Sequence, residues 1–318
     1  MNHGSIDENT AKGLRLLRSR IEDARIPPTQ LDESLKIATW NIREFGRRKR
    51  KTASVHFIAE IIGQFDVIAV VELRDNLDDM RRVLEILGPY WKVLFSDYNT
   101  DRAGNRERIA YVYDQRAAVF TGLSAELDPP RKKDSKTGEY LPRITWWRSP
   151  FMASFRAGNF DFILVTAHIR WGSGPEARVE PLRVLAEWLA TRRKEKYVFD
   201  KDILLVGDFN IPSREDPTFK AITSTGLRVP GGLLKDDFGT NLARDKRYDQ
   251  ILHFPVYDKL FTGKGGVLDF YRGDHAGLFP NLKMSKMDFT YQLSDHIPLW
   301  IQLDTWNDDI HLNQILNR

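Results

Sequence analysis

Short polar motifs recur from one end of this chain to the other, and each follows an apolar run that reads as a β-strand. In chain order the motifs are Thr39-Trp40-Asn41, Val71-Glu72, Glu107-Arg108, Ala167-His168, Gly207-Asp208-Phe209-Asn210, Tyr248-Asp249 and Ser294-Asp295-His296. Side chains of these types do chemistry together when they meet in one site. Because the motifs span both halves of the sequence, the halves must converge, and we expect one large domain rather than two.

The composition indicates a soluble protein with a substantial core. The 318 residues are 42% apolar and include 8 Trp, 18 Phe and 10 Tyr, while no apolar run approaches transmembrane length. There is no cysteine, and residues 1–34 hold no apolar stretch of the secretory kind. We therefore expect a cytoplasmic protein without a membrane partner, although a removed leader would leave the same sequence. Nothing in the sequence indicates an oligomer, so a monomer is the default.

Apolar spacing divides the chain into three parts. Leucine and isoleucine at helical spacing predict a helix within residues 1–34, an N-terminal extension. Residues 35–304 form the main domain, and residues 305–318 form a C-terminal tail. Several predicted strands of the main domain follow one another without a helix between them, which favours two packed sheets with helices outside over a purely parallel sheet. The charged segment 121–150 reads as a long loop or an extended hairpin.

Strand-like runs outnumber helical ones in the main domain. Strands are predicted at 35–40, 67–71, 91–95, 109–113, 117–120, 151–156, 160–167, 203–207, 249–254 and 297–303. Helices are predicted at 53–63, 77–87 and 179–193.

Two motifs place acids beside other polar groups at strand boundaries. Asp208 and Asn210 follow an apolar strand, and such a pair can share a pocket in which the carboxylate acts as a base or lies near a metal ion, while the amide positions a phosphate or water. The same residues also favour an ordinary turn. Asp295 and His296 precede a β-run, where the alternative to chemistry is an Asx turn with a surface histidine.

Glu72 and His168 each end a strongly apolar strand. A carboxylate at the end of a buried strand needs a compensating partner, either a cation or an arginine in a structural salt bridge. A single histidine at a strand end can equally be a hydrogen-bonded structural residue. Oxygen ligands without cysteine or clustered histidine suit Mg²⁺, with Mn²⁺ or Ca²⁺ as alternatives, much better than zinc.

Taken together, the motifs resemble those of the endonuclease/exonuclease/phosphatase superfamily over roughly residues 35–303. The residues that match the family motifs are Asn41, Glu72, His168, Asp208, Asn210, Ser294, Asp295 and His296. Glu-Arg before an aromatic strand, and Thr-Asn before Tyr-Asp-x-Ile, are most similar to the deoxyribonuclease I-like branch. Val71 departs from the Gln of many members, and the lack of cysteine departs from the secreted deoxyribonucleases. The resemblance implies an α+β fold, a four-layer α/β/β/α sandwich of two packed mixed β-sheets flanked by helices.

The resemblance also implies roles for individual residues. Glu72, with Asn41 and Asp295, would hold a divalent ion, Mg²⁺ in the first place. Two carboxylate–imidazole pairs would serve proton transfer and phosphate binding, and Asp208 would deprotonate the attacking water while Asn210 stabilises phosphoryl oxygens. The two pairs are His168 with Glu107 and His296 with Asp249. Weaker expectations for substrate contact fall on Arg108, Thr240, Asn241 and Trp171.

The implied function is a divalent-metal-dependent phosphodiester hydrolase, with an endonuclease acting on DNA as the leading candidate. A phosphoinositide phosphatase or a sphingomyelinase-type phosphoesterase of the same fold is the alternative, because fold alone does not settle function. A non-catalytic binding module is a third possibility, but it would not require the complete set of polar residues. The run Arg47-Arg48-Lys49-Arg50-Lys51, shortly after Asn41, is predicted to meet DNA phosphates or to form a solvated loop.

Overall fold

The computed structural model describes residues 1–98, 105–235 and 239–306, together with residues 312 and 316. Its helices in these ranges are α1 (Glu8–Asp23), α2 (Thr52–Ile62), α3 (Asp78–Leu87), α4 (Glu176–Arg192), α5 (Pro217–Thr223) and α6 (Lys286–Gln292). Its strands are β1 (Ser34–Phe45), β2 (Val67–Leu73), β3 (Trp91–Phe95), β4 (Arg108–Asp114), β5 (Val119–Glu126), β6 (Arg131–Lys133), β7 (Tyr140–Pro142), β8 (Phe151–Ala157), β9 (Phe160–His168), β10 (Ile203–Asp208), β11 (Asp249–His253), β12 (Phe261–Val267) and β13 (Leu299–Asp304).

Two mixed sheets carry the fold. The first has the strand order β12-β13-β1-β2-β4-β3, and the second has the order β11-β10-β9-β8-β5. Each sheet contains one parallel pair, β1 with β2 and β9 with β10, among antiparallel neighbours. In the second pair His168 stands opposite Asp208. The carboxyl ends of both parallel pairs therefore present neighbouring side chains at one edge of the molecule, as in other open sheets.

Apolar side chains separate four layers. The cluster between the two sheets includes stacked aromatic rings such as Tyr111 and Phe151, whose centroids are 5.2 Å apart. A second cluster packs the first sheet against the first three helices, and a third packs the second sheet against α4 and α5. The predicted α+β sandwich of two packed mixed sheets flanked by helices is confirmed.

Helix α1 packs on the outside of the first sheet rather than standing apart. Leu14 and Leu17 are buried, and a side chain at Gly13 would collide with the Leu278 carbonyl and the Phe57 ring. The buried guanidinium of Arg20 donates to backbone carbonyls of the 270–274 segment, 2.6 Å from the Phe270 oxygen. Residues 1–34 therefore contribute a helix to the outer layer of the sandwich.

The secondary structure of several segments can be compared with the prediction made from the sequence. The segment 121–150 contains the end of β5 and a short hairpin of β6 and β7, in line with the extended hairpin. Strand β12 was not predicted, because its glycines and polar residues hide the alternation of a strand. Most of the predicted tail, residues 305–318, lies outside the described residues. Within the described part of the chain, no helix is long and apolar enough to cross a membrane.

The basic run after Asn41 is not a row of five free cations. Arg50 is only 2% exposed; its backbone N–H donates to Asp79, and its guanidinium donates to the backbone carbonyl of Arg43. Burial lowers the pKa of Arg50 to about 10 against the opposing effect of Asp79. Arg47 is exposed but ion-paired with Glu44. The expectation that all five residues face DNA phosphates is therefore wrong for Arg50, which is a structural residue.

Candidate active site

An asparagine side chain links the two sheets at the edge where the parallel pairs end. Nδ2 of Asn41, on β1, donates to Oε1 of Glu72 at 3.0 Å and to Oδ2 of Asp208 at 2.9 Å. Glu72 closes β2 in the first sheet, whereas Asp208 closes β10 in the second. The buried amide thus holds two carboxylates from opposite sheets beside each other.

His168 is backed by a buried carboxylate. Its Nδ1 lies 2.9 Å from Oε2 of Glu107, and both side chains are almost inaccessible to solvent. The Arg148 guanidinium lies 2.6 Å from the same carboxylate, and Arg74 lies 3.9 Å from it. Burial raises the pKa of Glu107, but the charge of His168 and the two arginines outweigh it and lower the pKa to about 2. Glu107 is therefore ionised and fixes the orientation of the imidazole.

His296 has a matching partner in the second sheet. Its Nδ1 is hydrogen-bonded to Oδ2 of Asp249 at 2.7 Å. Asp249 is itself held in place, because its backbone N–H donates to Oγ1 of Thr240 at 3.1 Å. Burial lowers the pKa of His296, but Asp249 and Asp208 outweigh that effect and raise the pKa well above its usual value. The imidazole is therefore charged at neutral pH.

Asp208 lies between the two imidazoles. Its Oδ2 is 3.7 Å from Nε2 of His168 and 3.8 Å from Nε2 of His296. Burial raises the pKa of Asp208, yet the two histidines and the hydrogen bond from Asn41 lower it below its usual value. The other carboxylate oxygen accepts the backbone N–H of Asn210 at 2.9 Å. An ionised carboxylate therefore faces the reactive nitrogens of both histidines.

Backbone conformation aims these side chains. Gly207 has a φ of 138°, and a side chain there would collide with the Ala167 carbonyl on β9. Only glycine combines that φ with so close an approach, so it fixes the register of Asp208 beside His168. Asn210 has a φ of 54° and donates from Nδ2 to the Ile169 carbonyl at 2.7 Å. The Gly-Asp-x-Asn motif is therefore both a turn and part of the site.

A serine docks the C-terminal motif onto the first strand. Oγ of Ser294 donates to the Asn41 carbonyl at 2.6 Å and accepts the His296 backbone N–H at 3.0 Å. Nε1 of Trp40 donates to the His296 carbonyl at 2.9 Å. These contacts explain why motifs separated by more than two hundred residues act as one unit.

The residues present fit a hard divalent cation. Oδ1 of Asn41 is buried, and among the described residues it has no hydrogen-bond partner, while its amide group touches the Glu72 carboxylate. A carbonyl oxygen beside a carboxylate is the donor set that Mg²⁺ prefers. The side chain of Asp295 is 42% exposed, and its carboxylate lies 3.3 Å from Nη1 of Arg43. A second acidic group, formed by Asp208, Asp249 and His296, offers ligand atoms within 4.8 Å of one another.

The four residues expected to contact substrate occupy different places. Arg108 pairs with Asp97 at 3.1 Å and lines a pocket whose wall also includes His168. Thr240 supports Asp249, as described above. The side-chain amide of Asn241 caps its own loop by bonding to Asp245 and the Lys246 backbone.

Trp171 is the fourth of these residues, and it lies at the rim. It is 53% exposed and meets Tyr248 edge-on, with ring centroids 5.5 Å apart. Tyr248 in turn lies 5.8 Å from the His296 ring. Arg178 supports Trp171 from behind, with its guanidinium 4.6 Å from the ring centroid.

Sequence reasoning missed the arginines that neutralise Glu107. A buried glutamate predicts a cationic partner. However, nothing in the sequence distinguishes Arg74 and Arg148 among 48 lysines and arginines. It also missed Glu44, whose backbone N–H donates to Glu72 at 2.9 Å.

Known proteins resemble this chain over most of its length. The model of the Endonuclease/Exonuclease/phosphatase family matches residues 38–296. A deoxyribonuclease of Thioalkalivibrio sp. (strain K90mix) is 28% identical over 299 residues, which cover 86% of this chain and 72% of that protein. Deoxyribonuclease-1 of Bos taurus is 23% identical over 297 residues, which cover 86% of this chain and 94% of that protein. The solved structure of a mannosyl-6-phosphatase from Bacteroides thetaiotaomicron has a similar fold, with a TM-score of 0.52 and 17% identity over 85% of this chain and 99% of that chain.

Proposed function

The chain belongs to the endonuclease/exonuclease/phosphatase family, and within that family of phosphoester hydrolases we propose that it is a divalent-metal-dependent endonuclease acting on DNA. Water is the nucleophile. The observation that carries the proposal is that His168 and His296, each backed by a buried carboxylate, face the same oxygen of Asp208. The named relatives that support DNA as the substrate are deoxyribonucleases.

The side chains divide the work of hydrolysis among them. Asp208 is ionised and accepts the proton of the attacking water, which it orients toward phosphorus. His296 is charged and donates its proton to the leaving oxygen. His168, oriented by Glu107, binds a phosphoryl oxygen from the other side. Asn210 uses one amide proton on the Ile169 carbonyl, which leaves the second for the phosphate.

Glu72 and the free carbonyl oxygen of Asn41 would hold the divalent cation, Mg²⁺ in the first place. When bound there, the ion polarises the phosphoryl oxygen and offsets the charge that develops on it. Asp295 would have to leave Arg43 in order to join them. Glu72 is otherwise held by the Glu44 backbone, so its carboxylate is already oriented.

A phosphomonoesterase is the second candidate, since a mannosyl-6-phosphatase shares this fold. Phosphoinositide phosphatase and sphingomyelinase activities are further alternatives, because proteins of one fold can act on different substrates. The test incubates the protein with supercoiled plasmid, linear duplex, a phosphoinositide, sphingomyelin and mannose 6-phosphate, each with Mg²⁺, Mn²⁺, Ca²⁺ or chelator. With Mg²⁺ or Mn²⁺ we expect the supercoiled plasmid to be converted to the relaxed form and then to the linear form. With chelator we expect no conversion. Turnover of the lipids or the sugar phosphate with intact plasmid would contradict the proposal.

A further inference from the structure

A pocket of about 350 Å³ opens directly beside His168 and is used by none of the catalytic steps above. Two chain segments form most of its walls. Residues 145–148 precede β8, while residues 168–170, 172 and 173 come from the end of β9 and the loop after it. Ala177 and Pro181 of helix α4 close the far side. A cavity of this size is in the range of small-ligand sites, and this one shares His168 with the reaction centre.

The pocket combines a rigid apolar wall with a cationic, aromatic one. Trp146 is buried, and its Nε1 donates to the Pro181 carbonyl at 3.3 Å, which fixes the ring. Its neighbour Trp147 is 39% exposed. The Arg170 guanidinium carbon lies 4.5 Å from the Trp147 ring centroid. Tryptophan and arginine presented together are the usual surface on which a nucleobase stacks.

Trp147 stays partly exposed in contact with Arg170, whereas its neighbour Trp146 is buried. Together the two rings give the pocket an apolar surface beside the polar catalytic site, and contiguous apolar surface in such a place is characteristic of a binding site. Three other wall residues, Thr145, Arg148 and Ser173, are polar and able to hydrogen-bond the edge of a bound ring. This mixture of apolar walls and a few polar groups is typical of a site for a flat heteroaromatic ligand.

We propose that this pocket binds one unpaired nucleobase adjacent to the scissile phosphate, which makes the enzyme selective for single-stranded or locally unpaired DNA. The inference rests on the proposed nuclease function and adds the form of the substrate. A base that remains paired and stacked in a duplex cannot enter a walled pocket without being extruded, whereas an unpaired base enters at much lower cost. The phosphate attached to that nucleotide then lies within reach of His168.

The test uses pairs of short single-stranded oligonucleotides that contain one cleavable phosphate. Within a pair, the only difference is whether the nucleotide beside that phosphate carries its base or a base-free sugar. One pair places the missing base on the 5′ side and another places it on the 3′ side. For the wild-type protein we expect kcat/KM to fall about 5- to 150-fold when the base is removed on one side, the range of one stacked base.

The ratio of kcat/KM with the base to kcat/KM without it should be close to one in the variant Trp147→Ala. Trp147→Phe should retain most of the wild-type ratio because it keeps an aromatic face. Tyr197→Ala is the matched control. Tyr197 is 86% exposed and lies in the loop before β10, at the opposite end of the strand from Asp208, so the wild-type ratio should persist. Arg170→Ala tests the same wall independently, and we expect its ratio of kcat/KM values to be lower than that of the wild type.

Three results would overturn the proposal. One is a wild-type ratio close to one on both sides of the phosphate. Another is a full ratio in both Trp147→Ala and Arg170→Ala, which would place the recognised base elsewhere. Failure of the wild-type protein to cleave any oligonucleotide or plasmid would instead contradict the nuclease function, and this inference with it.

Discussion

Nδ1 of His168 lies 2.9 Å from Oε2 of Glu107, in a setting that leaves both side chains almost inaccessible to water. The carboxylate is ionised, and the positive charges of Arg148 and Arg74 offset its negative charge. Glu107 lies on the Nδ1 side of the ring, whereas Nε2 of the same ring is the atom nearest Asp208. Glu107 therefore acts on the reaction through His168, which it orients.

The first prediction follows from this arrangement. His168→Ala should lower kcat by about 10²- to 10⁴-fold, the usual contribution of a positioned acid or base. Glu107→Gln should lower kcat as well, but the double variant should be little worse than His168→Ala alone, because Glu107 acts on the chemical step by orienting and charging the imidazole. The measurement is a double-mutant cycle, in which kcat on plasmid DNA is compared among the wild type, the two single variants and the double variant. Rate losses that multiply would show that the residues act separately.

The second prediction concerns pH. The pKa of His296 is raised, so its proton is present at neutral pH and is lost only as the pH rises through that raised value. If the proton goes to the leaving oxygen, kcat should fall on the alkaline side of the profile. Asp249→Asn removes the strongest interaction that raises this pKa, so the alkaline limb should move to lower pH. An alkaline limb that stays in place in the variant would contradict the role of the pair.

The third prediction concerns the cation. Glu72→Ala should abolish metal-dependent cleavage and weaken binding of Mg²⁺ or Mn²⁺, measured by calorimetry. Thermal unfolding should change little, because the substitution also removes a carboxylate that is costly to bury. Glu33→Ala is a control at the opposite end of β1. Wild-type cleavage by Glu72→Ala, or full activity of the native protein in excess chelator, would count against the metal site.

The fourth prediction revises the role of the basic run. Replacing the exposed residues Arg48, Lys49 and Lys51 by Ser should flatten the dependence of log affinity on log salt by about 0.9 for each DNA phosphate that is no longer neutralised. An unchanged slope would make the run an ordinary solvated loop. Arg50→Ser should instead lower the free energy of unfolding by about 1–3 kcal/mol, because it leaves the Arg43 carbonyl without its buried donor. Chemical denaturation separates the two effects.

The sheets could be predicted from the sequence because the signals that specify them are local. The strand predicted at 160–167 matches β9 to within one residue, and the strand predicted at 35–40 gives the start of β1, which continues to Phe45. Since parallel strands in one sheet end at a common edge, motif residues could be expected to converge there. Strand β12 escaped prediction because its pairing with β13, rather than its glycine-rich sequence, makes it a strand.

Contacts between distant segments account for what could not be predicted. Arg148 reaches Glu107 from a loop 41 residues further along the chain, and no local pattern marks it. Arg50 reads as one of five equivalent cations until the position of Asp79 is known. The direction of Asp295 depends on Arg43, which helix α6 holds through Thr290 at 2.7 Å. The identity of each partner is a property of the folded chain.

The most direct test of the central claim is the rate of Mg²⁺-dependent plasmid nicking by wild-type protein and by Asp208→Asn. Asp208 is the group that both imidazoles face. Asparagine keeps its shape and can still accept the Asn210 backbone N–H, while it removes the basic carboxylate and the oxygen that accepts from Nδ2 of Asn41. We predict nicking by the wild type and a loss of about 10²- to 10⁴-fold in kcat for the variant, with an unchanged fold by circular dichroism. Nicking by Asp208→Asn at the wild-type rate would contradict the account.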